Sequence, residues 1–183
     1  MIKDCIMYNC DARIEMDANN YVAVGQSTEV ALIEFLQDAD VPVHLLITKK
    51  FGKIKASCPF SPQTKRSAVV VESSEQPGSI MVFVKGAPEV VVNMCDRQLA
   101  NDGQADLGDD EKYQILEKVT AMAAKPLRVM TLAYVEMDEG SWANYENTGV
   151  TPEQAIEEAF QNGSLPLIYI GSFGLKDSLR PKV

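Results

Sequence analysis

The chain has 183 residues, of which 46% are hydrophobic and 23% are charged. This composition argues against disorder, and the length allows one sizeable core, which predicts a single domain. A net charge of −9 disfavours nucleic acid as a general partner. No apolar stretch approaches the roughly 18 residues that span a bilayer. The N-terminal residues MIKDCIMYNC lack the features of a signal segment, so any membrane role would depend on sequence outside this chain.

The first half of the chain predicts strands around one early helix. Alternation in ARIEMD and YVAVG indicates one or two strands, and apolar residues over 27–36 have helical spacing, with Ser27 as the N-cap. The run VPVHLLITKKF fits either a helix or a buried strand. A polar turn, FSPQTKR, and a polar hairpin connection over 73–78 separate the strands that follow. These strands are predicted at 52–60, 67–72 and 80–85.

The second half mixes helices and strands. A proline in the first turn suits a short helix over 88–94, and an acidic loop, NDGQADLGDDE, leads into a helix over 111–124. A β-rich run follows at 128–135. The capping box TPEQ (151–154) and Gly163 mark the two ends of a further helix, and the run LPLIYIGSFGLKD predicts a closing strand.

The order of these elements predicts the fold class. Strands outnumber helices, and several strands are joined by short, hairpin-like links. This pattern favours an α+β domain, in which an antiparallel sheet of about six or seven strands is flanked by helices.

Cysteine and histidine usage gives little support to a metal site. The four cysteines, Cys5, Cys10, Cys58 and Cys95, show no CxxC spacing, and His44 is the single histidine. Zinc and iron–sulfur sites normally need paired, closely spaced ligands. Reduced cysteines in a cytosolic domain are therefore the favoured interpretation.

Charge is unevenly distributed along the chain. Between Lys49 and Arg66 there are six basic residues and no acidic one, whereas Asp96 to Glu117 holds seven acids. A basic island in an acidic protein is a plausible seat for a small anionic ligand. Lysines that protect an exposed strand edge would give the same pattern, and this interpretation is favoured from charge alone.

Familiar catalytic signatures are missing. The chain contains neither GxxxxGK[ST] nor GxGxxG, and His44 lies in an apolar run without a nucleophile elbow nearby. The carboxylates of the acidic loop lack the twelve-residue spacing of a calcium loop. A Ser/His/Asp hydrolase and a calcium-binding loop are therefore disfavoured.

Four short stretches remain as candidates for binding a nucleotide. Phe60 and Lys65, in the turn FSPQTK, would suit stacking on a purine and contact with its phosphates. A core phenylalanine followed by a surface lysine would give the same sequence. The strand-to-helix turn at Lys85 combines a cation with small residues that let a flat ligand approach the backbone. Thr28-Glu29 begins a helix, where the carboxylate could accept from an exocyclic amine or simply pair with the helix dipole. Arg128 begins a strand, with a fork of donors suited to phosphate.

Taken together, in this order and spacing, these stretches resemble the nucleotide-binding domain of P-type ATPases, the ion pumps that form an aspartyl-phosphate. The resemblance rests on STEVAL, FSPQTK, KGAPE, Leu127-Arg128 and the closing DSLR. It extends from about Gly25 to Pro181. FSxxxK followed by KGAPE at this distance is specific, whereas the other elements alone are not. GQSTEVAL, the KR after FSPQT and GLKDSLRPKV are most similar to plasma-membrane and plant autoinhibited-type calcium pumps.

The resemblance implies a role for each matched residue. Phe60 would stack on adenine and Glu29 would face its polar edge. Lys65 and Lys85 would line the cleft near the ring and phosphates, and Arg128 would reach the phosphate chain. The other ATP-binding residues implied are Thr28, Ser61, Gly86, Ala87 and Met130, with Gly86 and Ala87 giving the adenosine room and Met130 supplying apolar contact.

The resemblance also divides the chain. Residues 1–176 would form the nucleotide-binding domain, and 177–183 would lead back to a phosphorylation domain, with Asp177, Arg180 and Pro181 as the hinge. Two departures weaken parts of the pattern: Ser178 replaces the hinge proline, and Pro62 stands where some relatives have a basic residue.

The chain lacks the DKTGT aspartate, the magnesium-site motifs and the membrane helices of an intact pump. It would therefore bind ATP, as Mg-ATP in the intact calcium-transporting ATPase, without completing the reaction. Its partners would be the nucleotide and the phosphorylation and actuator domains, at the cytoplasmic face of a membrane. A free-standing adenine-nucleotide sensor, a pump for another cation and an acidic interaction domain without nucleotide remain as alternatives.

Overall fold

The computed structural model describes residues 1–17, 20–43, 52–73, 76–101 and 103–176. His44, most of VPVHLLITKKF and the hinge residues Asp177, Arg180 and Pro181 lie outside the described residues. None of the helices in the described ranges is long and apolar enough to cross a membrane.

The described residues form six helices and nine strands. The helices are α1 (Ile2–Tyr8), α2 (Ser27–Asp38), α3 (Pro88–Val91), α4 (Asp109–Ala123), α5 (Glu139–Glu146) and α6 (Pro152–Gln161), and a 3-10 turn (Val92–Met94) follows α3. The strands are β1 (Arg13–Asp17), β2 (Asn20–Val24), β3 (Gly52–Cys58), β4 (Arg66–Ser73), β5 (Ser79–Gly86), β6 (Cys95–Ala100), β7 (Gly103–Asp106), β8 (Leu127–Asp138) and β9 (Leu167–Lys176).

Seven of the strands form one sheet in the order β3-β4-β5-β8-β9-β6-β7, and β1 and β2 pair separately as a hairpin. The predicted α+β class and the strand number are confirmed. The sheet is mixed rather than wholly antiparallel, because β6 pairs parallel to β9. The chain between these two strands passes through β7, α4, β8, α5 and α6, which is long enough for the crossover that a parallel pair requires.

The central strands are buried on both faces. Along β4, Ala68 and Val70 belong to one core cluster and Val69 and Val71 to the other. Side chains alternate between the faces of a strand, so the continuous run AVVV is explained by helices on both sides. Trp142 of α5 and Ile156 and Phe160 of α6 pack on one face, and Ile6 of α1 with Leu32 and Leu36 of α2 pack on the other.

Most predicted helix boundaries agree with the structure. The capping box of α6 is confirmed, with the Thr151 hydroxyl accepting from the Gln154 backbone N–H at 3.3 Å and the Gln154 side chain accepting from the Thr151 N–H at 3.1 Å. Gly163 follows α6 with a φ of +63°. The prediction of Ser27 as the α2 N-cap is wrong: Gln26 occupies the N-cap and Ser27 is the first helical residue.

The elements β6, β7 and α5 were not predicted from the sequence. The first part of the acidic loop is β7, which pairs with β6. Polar residues dominate both strands, because β7 lies at the edge of the sheet and β6 lies beside it. The hydrophobic alternation that predicts a strand is therefore absent. Helix α5 has one buried residue, Trp142, and too little apolar periodicity to reveal it.

Candidate functional site

The turn between β3 and β4 presents an exposed aromatic ring. Hydrogen bonds fold it: the Lys65 N–H donates to the Ser61 carbonyl at 2.8 Å, and the Thr64 N–H donates to the Ser61 hydroxyl at 3.1 Å. Ser61 is thus a structural residue of the turn. Phe60, at its start, is 61% exposed, which decides between the two interpretations of this residue, because a core phenylalanine would be buried.

The end of β5 lies against this turn. The Ala87 N–H donates to the Lys65 carbonyl at 2.9 Å, and Arg66 is the partner of Gly86 in the β4–β5 ladder. Two stretches that are about twenty residues apart in the sequence therefore become direct neighbours.

Lys85 is buried in a polar cluster beneath the turn. Its ammonium group donates to a Glu29 carboxylate oxygen and to the main-chain carbonyl of Asn9, and the Lys85 and Glu29 side chains are only 8% and 9% exposed. The other Glu29 oxygen accepts the N–H groups of Asp11 and Ala12, each at 3.0 Å. A buried charge pair of this kind is stable only when its remaining hydrogen bonds are satisfied, and these backbone partners satisfy them.

The start of β8 completes the site. The side chain of Arg128 is exposed and makes no hydrogen bond within the described part of the chain, whereas Val129 and Met130 are half-buried. The antiparallel pairing of β8 with β5 places Thr131 opposite Gly86, so the three preceding residues continue past the end of β5.

These segments surround a cavity of about 250 Å³. Eight of the ten predicted ATP-binding residues line it: Thr28, Glu29, Phe60, Lys85, Gly86, Ala87, Arg128 and Met130. The other two do not. Ser61 holds the turn, and the Lys65 ammonium pairs with a Glu89 carboxylate oxygen at 3.0 Å on the surface.

Gln26 and Val129 also line the cavity, and neither was predicted from the sequence. Gln26 directly precedes the STEVAL stretch, and this adjacency is the sequence signal that places it at the same helix end as Thr28. Thr28 and Arg128 additionally line a small adjoining recess with Ser27 and Lys176. Arg128 and Lys176 therefore bring two positive charges to this recess.

A larger cavity of about 670 Å³ lies at the opposite end of β5 and β8, near Ser79 and Asp138. None of the predicted ATP-binding residues lines it. Its charged side chains are Arg97, Glu136 and Asp138, whose net negative charge would repel phosphates. Size alone therefore does not identify this cavity as a nucleotide site.

Most described cations of the basic island are neutralised by glutamates from other segments. Lys55 pairs with Glu72 at 3.4 Å, Lys65 with Glu89, and Arg66 with Glu157 at 2.7 Å. Because β3 is an edge strand, the arrangement agrees with the interpretation of the island as strand-edge protection. Hydrogen bonding to its own backbone N–H, followed by the Lys65 ammonium, lowers the pKa of Glu89.

The thiol nearest to the site is Cys10, whose Sγ lies 3.7 Å from the Lys85 Nζ. Burial raises the pKa of Cys10 to about 11, although the Lys85 charge acts in the opposite direction. The thiol is therefore protonated at neutral pH. No group of three or more His, Cys, Asp and Glu side chains within the described ranges is arranged to hold a metal ion.

The seven-stranded mixed sheet flanked by helices is consistent with the N-domain fold that the resemblance to P-type ATPases implies. The family model described as P-type ATPase, cytoplasmic domain N matches residues 1–182, and the chain therefore belongs to this family.

Curated relatives extend the comparison to whole pumps. The chain is 30% identical over 181 residues to a plasma-membrane-type calcium-transporting ATPase of Oryza sativa subsp. japonica, covering 97% of this chain and 16% of the relative. It is 30% identical over 164 residues to a second such ATPase of that plant, covering 89% and 14%. It is also 27% identical over 170 residues to a sodium/potassium exporting P-type ATPase of Schizosaccharomyces pombe, covering 92% and 15%. The chain thus spans about one sixth of the length of the curated relatives it matches.

Proposed function

We propose that the cavity beside Phe60 binds ATP, and that the chain is the nucleotide-binding part of a calcium-transporting P-type ATPase. One observation carries the proposal. Four stretches that are separate in the sequence contribute eight predicted residues to a single cavity. Membership of the N-domain family and the calcium-transporting relatives agree with it.

The shape of the cavity suits the adenosine end of the nucleotide. Its volume of about 250 Å³ is below the roughly 300–1,000 Å³ of pockets that enclose whole drug-sized ligands. The exposed ring of Phe60 offers a platform on which a purine stacks, and Val129 and Met130 offer apolar contact. In this arrangement the phosphates lie outside the cavity, within reach of Arg128.

Lys85 and Glu29 contribute to the cavity as a closed ion pair and not as two side chains that are free to bind the nucleotide. Each satisfies the other, and Asn9, Asp11 and Ala12 satisfy the rest of their hydrogen-bonding capacity. They form a rigid polar wall of the cavity. Both side chains line the cavity. Because the pair carries no net charge, the charge that attracts the phosphates comes from Arg128, whose side chain is unpaired among the described residues.

In the intact pump, the domain would act by positioning. It would hold adenosine so that the γ-phosphate reaches an aspartate of the phosphorylation domain, with Mg²⁺ assisting the in-line transfer. Holding two reactants in the correct geometry lowers the entropic part of a barrier without any bond-making by the holder. Residues 177–183, with Asp177, Arg180 and Pro181, would connect the two domains at the cytoplasmic face of the membrane.

Phe60→Ala tests the proposal directly. Stacking of a base on an aromatic side chain contributes roughly 1–3 kcal/mol, so we expect the Kd for ATP to rise about fivefold to a hundredfold. Because Phe60 is exposed, the substitution should leave stability nearly unchanged. Titration of the 183-residue chain with ATP, followed by NMR chemical shifts, measures the change.

Tyr113→Ala is the matched control. Tyr113 is also an exposed aromatic residue, at 64% against 61% for Phe60, and it lies outside the cavity on α4. The site assignment fails if both variants bind ATP as the parent chain does, and ATP binding itself fails if the parent chain shows no shifts near the cavity.

Two other functions remain open to test. The Schizosaccharomyces pombe relative supports a pump for another cation, which ATP-driven uptake of calcium and of sodium by the complete protein would distinguish. A free-standing nucleotide sensor shares the cavity. The sequence on either side of the chain distinguishes it from a pump, since a pump requires the DKTGT aspartate and membrane helices.

A further inference from the structure

The polar side chains around the cavity are not equally available to a ligand. Glu29 and Lys85 are paired, and the second Glu29 oxygen is held by two backbone N–H groups. The side chains of Gln26, Thr28 and Arg128 make no hydrogen bond within the described ranges. A ligand can therefore use these three groups without breaking a protein contact.

The positions of these three side chains separate their roles. Thr28 and Arg128 share the small recess that also contains Lys176, and Gln26 does not line it. Arg128 and Lys176 mark the side that suits phosphates. Of the three unpaired side chains, Gln26 is the one that lines only the larger cavity, which Phe60 also lines.

The backbone of Gln26 is well fixed although its side chain is free. Its carbonyl accepts the N–H groups of Glu29 at 3.0 Å and Val30 at 2.9 Å, which starts α2. The side chain, by contrast, is exposed and makes no capping hydrogen bond. A free amide on a fixed backbone, in the same cavity as an aromatic platform, can pair with the edge of a stacked base.

We propose that Gln26 determines the base preference of this site by pairing with the polar edge of adenine. The inference rests on the proposed function. Adenine presents the donor N6–H₂ beside a ring-nitrogen acceptor, and a glutamine amide supplies the matching acceptor and donor. Glu29, which the family resemblance assigns to this edge, has both oxygens engaged elsewhere.

A carboxylate at position 26 would match the hydrogen-bonding edge of guanine instead of that of adenine. Guanine presents two donors side by side, N1–H and N2–H₂, and a carboxylate offers two acceptors and no donor. Gln26→Glu should therefore weaken ATP and favour GTP. Repulsion between the new charge and the phosphates acts on both nucleotides alike, so the ratio of the two Kd values isolates the base contact.

The experiment measures Kd for ATP and for GTP with the 183-residue chain and with Gln26→Glu by NMR titration. A bidentate contact discriminates between bases by about five- to a hundredfold, so we expect the ratio of Kd for GTP to Kd for ATP to fall at least about fivefold. Gln161→Glu introduces the same change at an exposed position at the end of α6 and should leave the ratio unaltered.

The outcomes separate this inference from the function on which it rests. If the parent chain binds ATP and Gln26→Glu leaves the ratio within about twofold of the parent value, the assignment of Gln26 is overturned and ATP binding stands. If the parent chain binds neither nucleotide, both proposals are overturned. A fall in the ratio that Gln161→Glu reproduces is a general charge effect and also overturns the assignment.

Discussion

Gly86 has a steric role in the fold that the KGAPE motif does not reveal. The family resemblance gives it the role of making room for adenosine. In the structure, a Cβ at this position would lie 2.5 Å from the Lys65 carbonyl oxygen and 2.8 Å from the Arg66 Cα. Both obstacles are on the neighbouring strand and its turn, which cannot move aside as a flexible side chain would. Glycine therefore lets the Phe60 turn approach β5.

We expect Gly86→Ala to destabilise the domain by about 1–3 kcal/mol, the usual cost of overpacking a close-packed region. Gly171→Ala is the control, since its Cβ would make only an ordinary van der Waals contact, with the Phe173 ring at 3.5 Å. Urea unfolding followed by fluorescence of Trp142, which is fully buried, measures both. Equal stability of the two variants would contradict the steric explanation.

At the level of elements, the residue that follows α1 joins this helix to the sheet by hydrogen bonds, in addition to the apolar packing of Cys5 and Ile6. The Asn9 side chain donates to the Ser67 carbonyl at 3.3 Å and the Phe83 carbonyl at 3.2 Å, and accepts from the Ser67 hydroxyl at 3.1 Å. Its main-chain carbonyl accepts from Lys85. One buried residue thus connects α1, β4, β5 and a wall of the cavity.

Asn9→Ala should lower the free energy of unfolding by about 1–3 kcal/mol, because it leaves buried groups without partners. Asn93→Ala removes an exposed amide with a single bond to the Glu89 carbonyl, and we expect it to change stability by less than about 0.5 kcal/mol. Hydrogen exchange should also accelerate at the α1 amides in Asn9→Ala. Unchanged exchange there would show that other contacts hold α1.

At the level of the whole molecule, the helix layers on both faces of the sheet bury the thiols. Burial raises the pKa of Cys95 to about 12 and the pKa of Cys10 and Cys58 to about 11, and it also raises the pKa of Cys5. An unfolded thiol titrates near a pKa of about 8.5. Between that pH and the folded pKa, the unfolded chain loses protons that the folded chain keeps, so stability present below about pH 8.5 falls as pH rises.

Cys95→Ala should make this alkaline loss of stability shallower. One thiol contributes at most about 1.4 kcal/mol per pH unit, which amounts to about 2 kcal/mol between about pH 8 and pH 10. Val92→Ala is the control: it truncates a buried neighbour and should lower stability without altering its pH dependence. Urea unfolding at several pH values measures the slopes, and identical slopes for both variants would contradict the prediction.

Local signals were enough to predict several features. The motifs FSPQTK and KGAPE indicated the family. Alternation and capping residues predicted most strands and α6, because capping hydrogen bonds and side-chain alternation are set by nearby residues. Eight residues that line the cavity could be predicted because each lies in a short stretch that matches the family's motifs.

Other features depended on contacts between distant segments. Only the tertiary structure pairs β6 with β9 in parallel and makes β7 an edge strand, because strand partners lie far apart in the chain. It also gives Lys65 a surface partner, joins Lys85 to Glu29 and Asn9, and leaves Gln26 unpaired at the cavity. Whether a polar group has a hydrogen-bond partner depends on every segment that packs around it. The local sequence does not determine which segments those are.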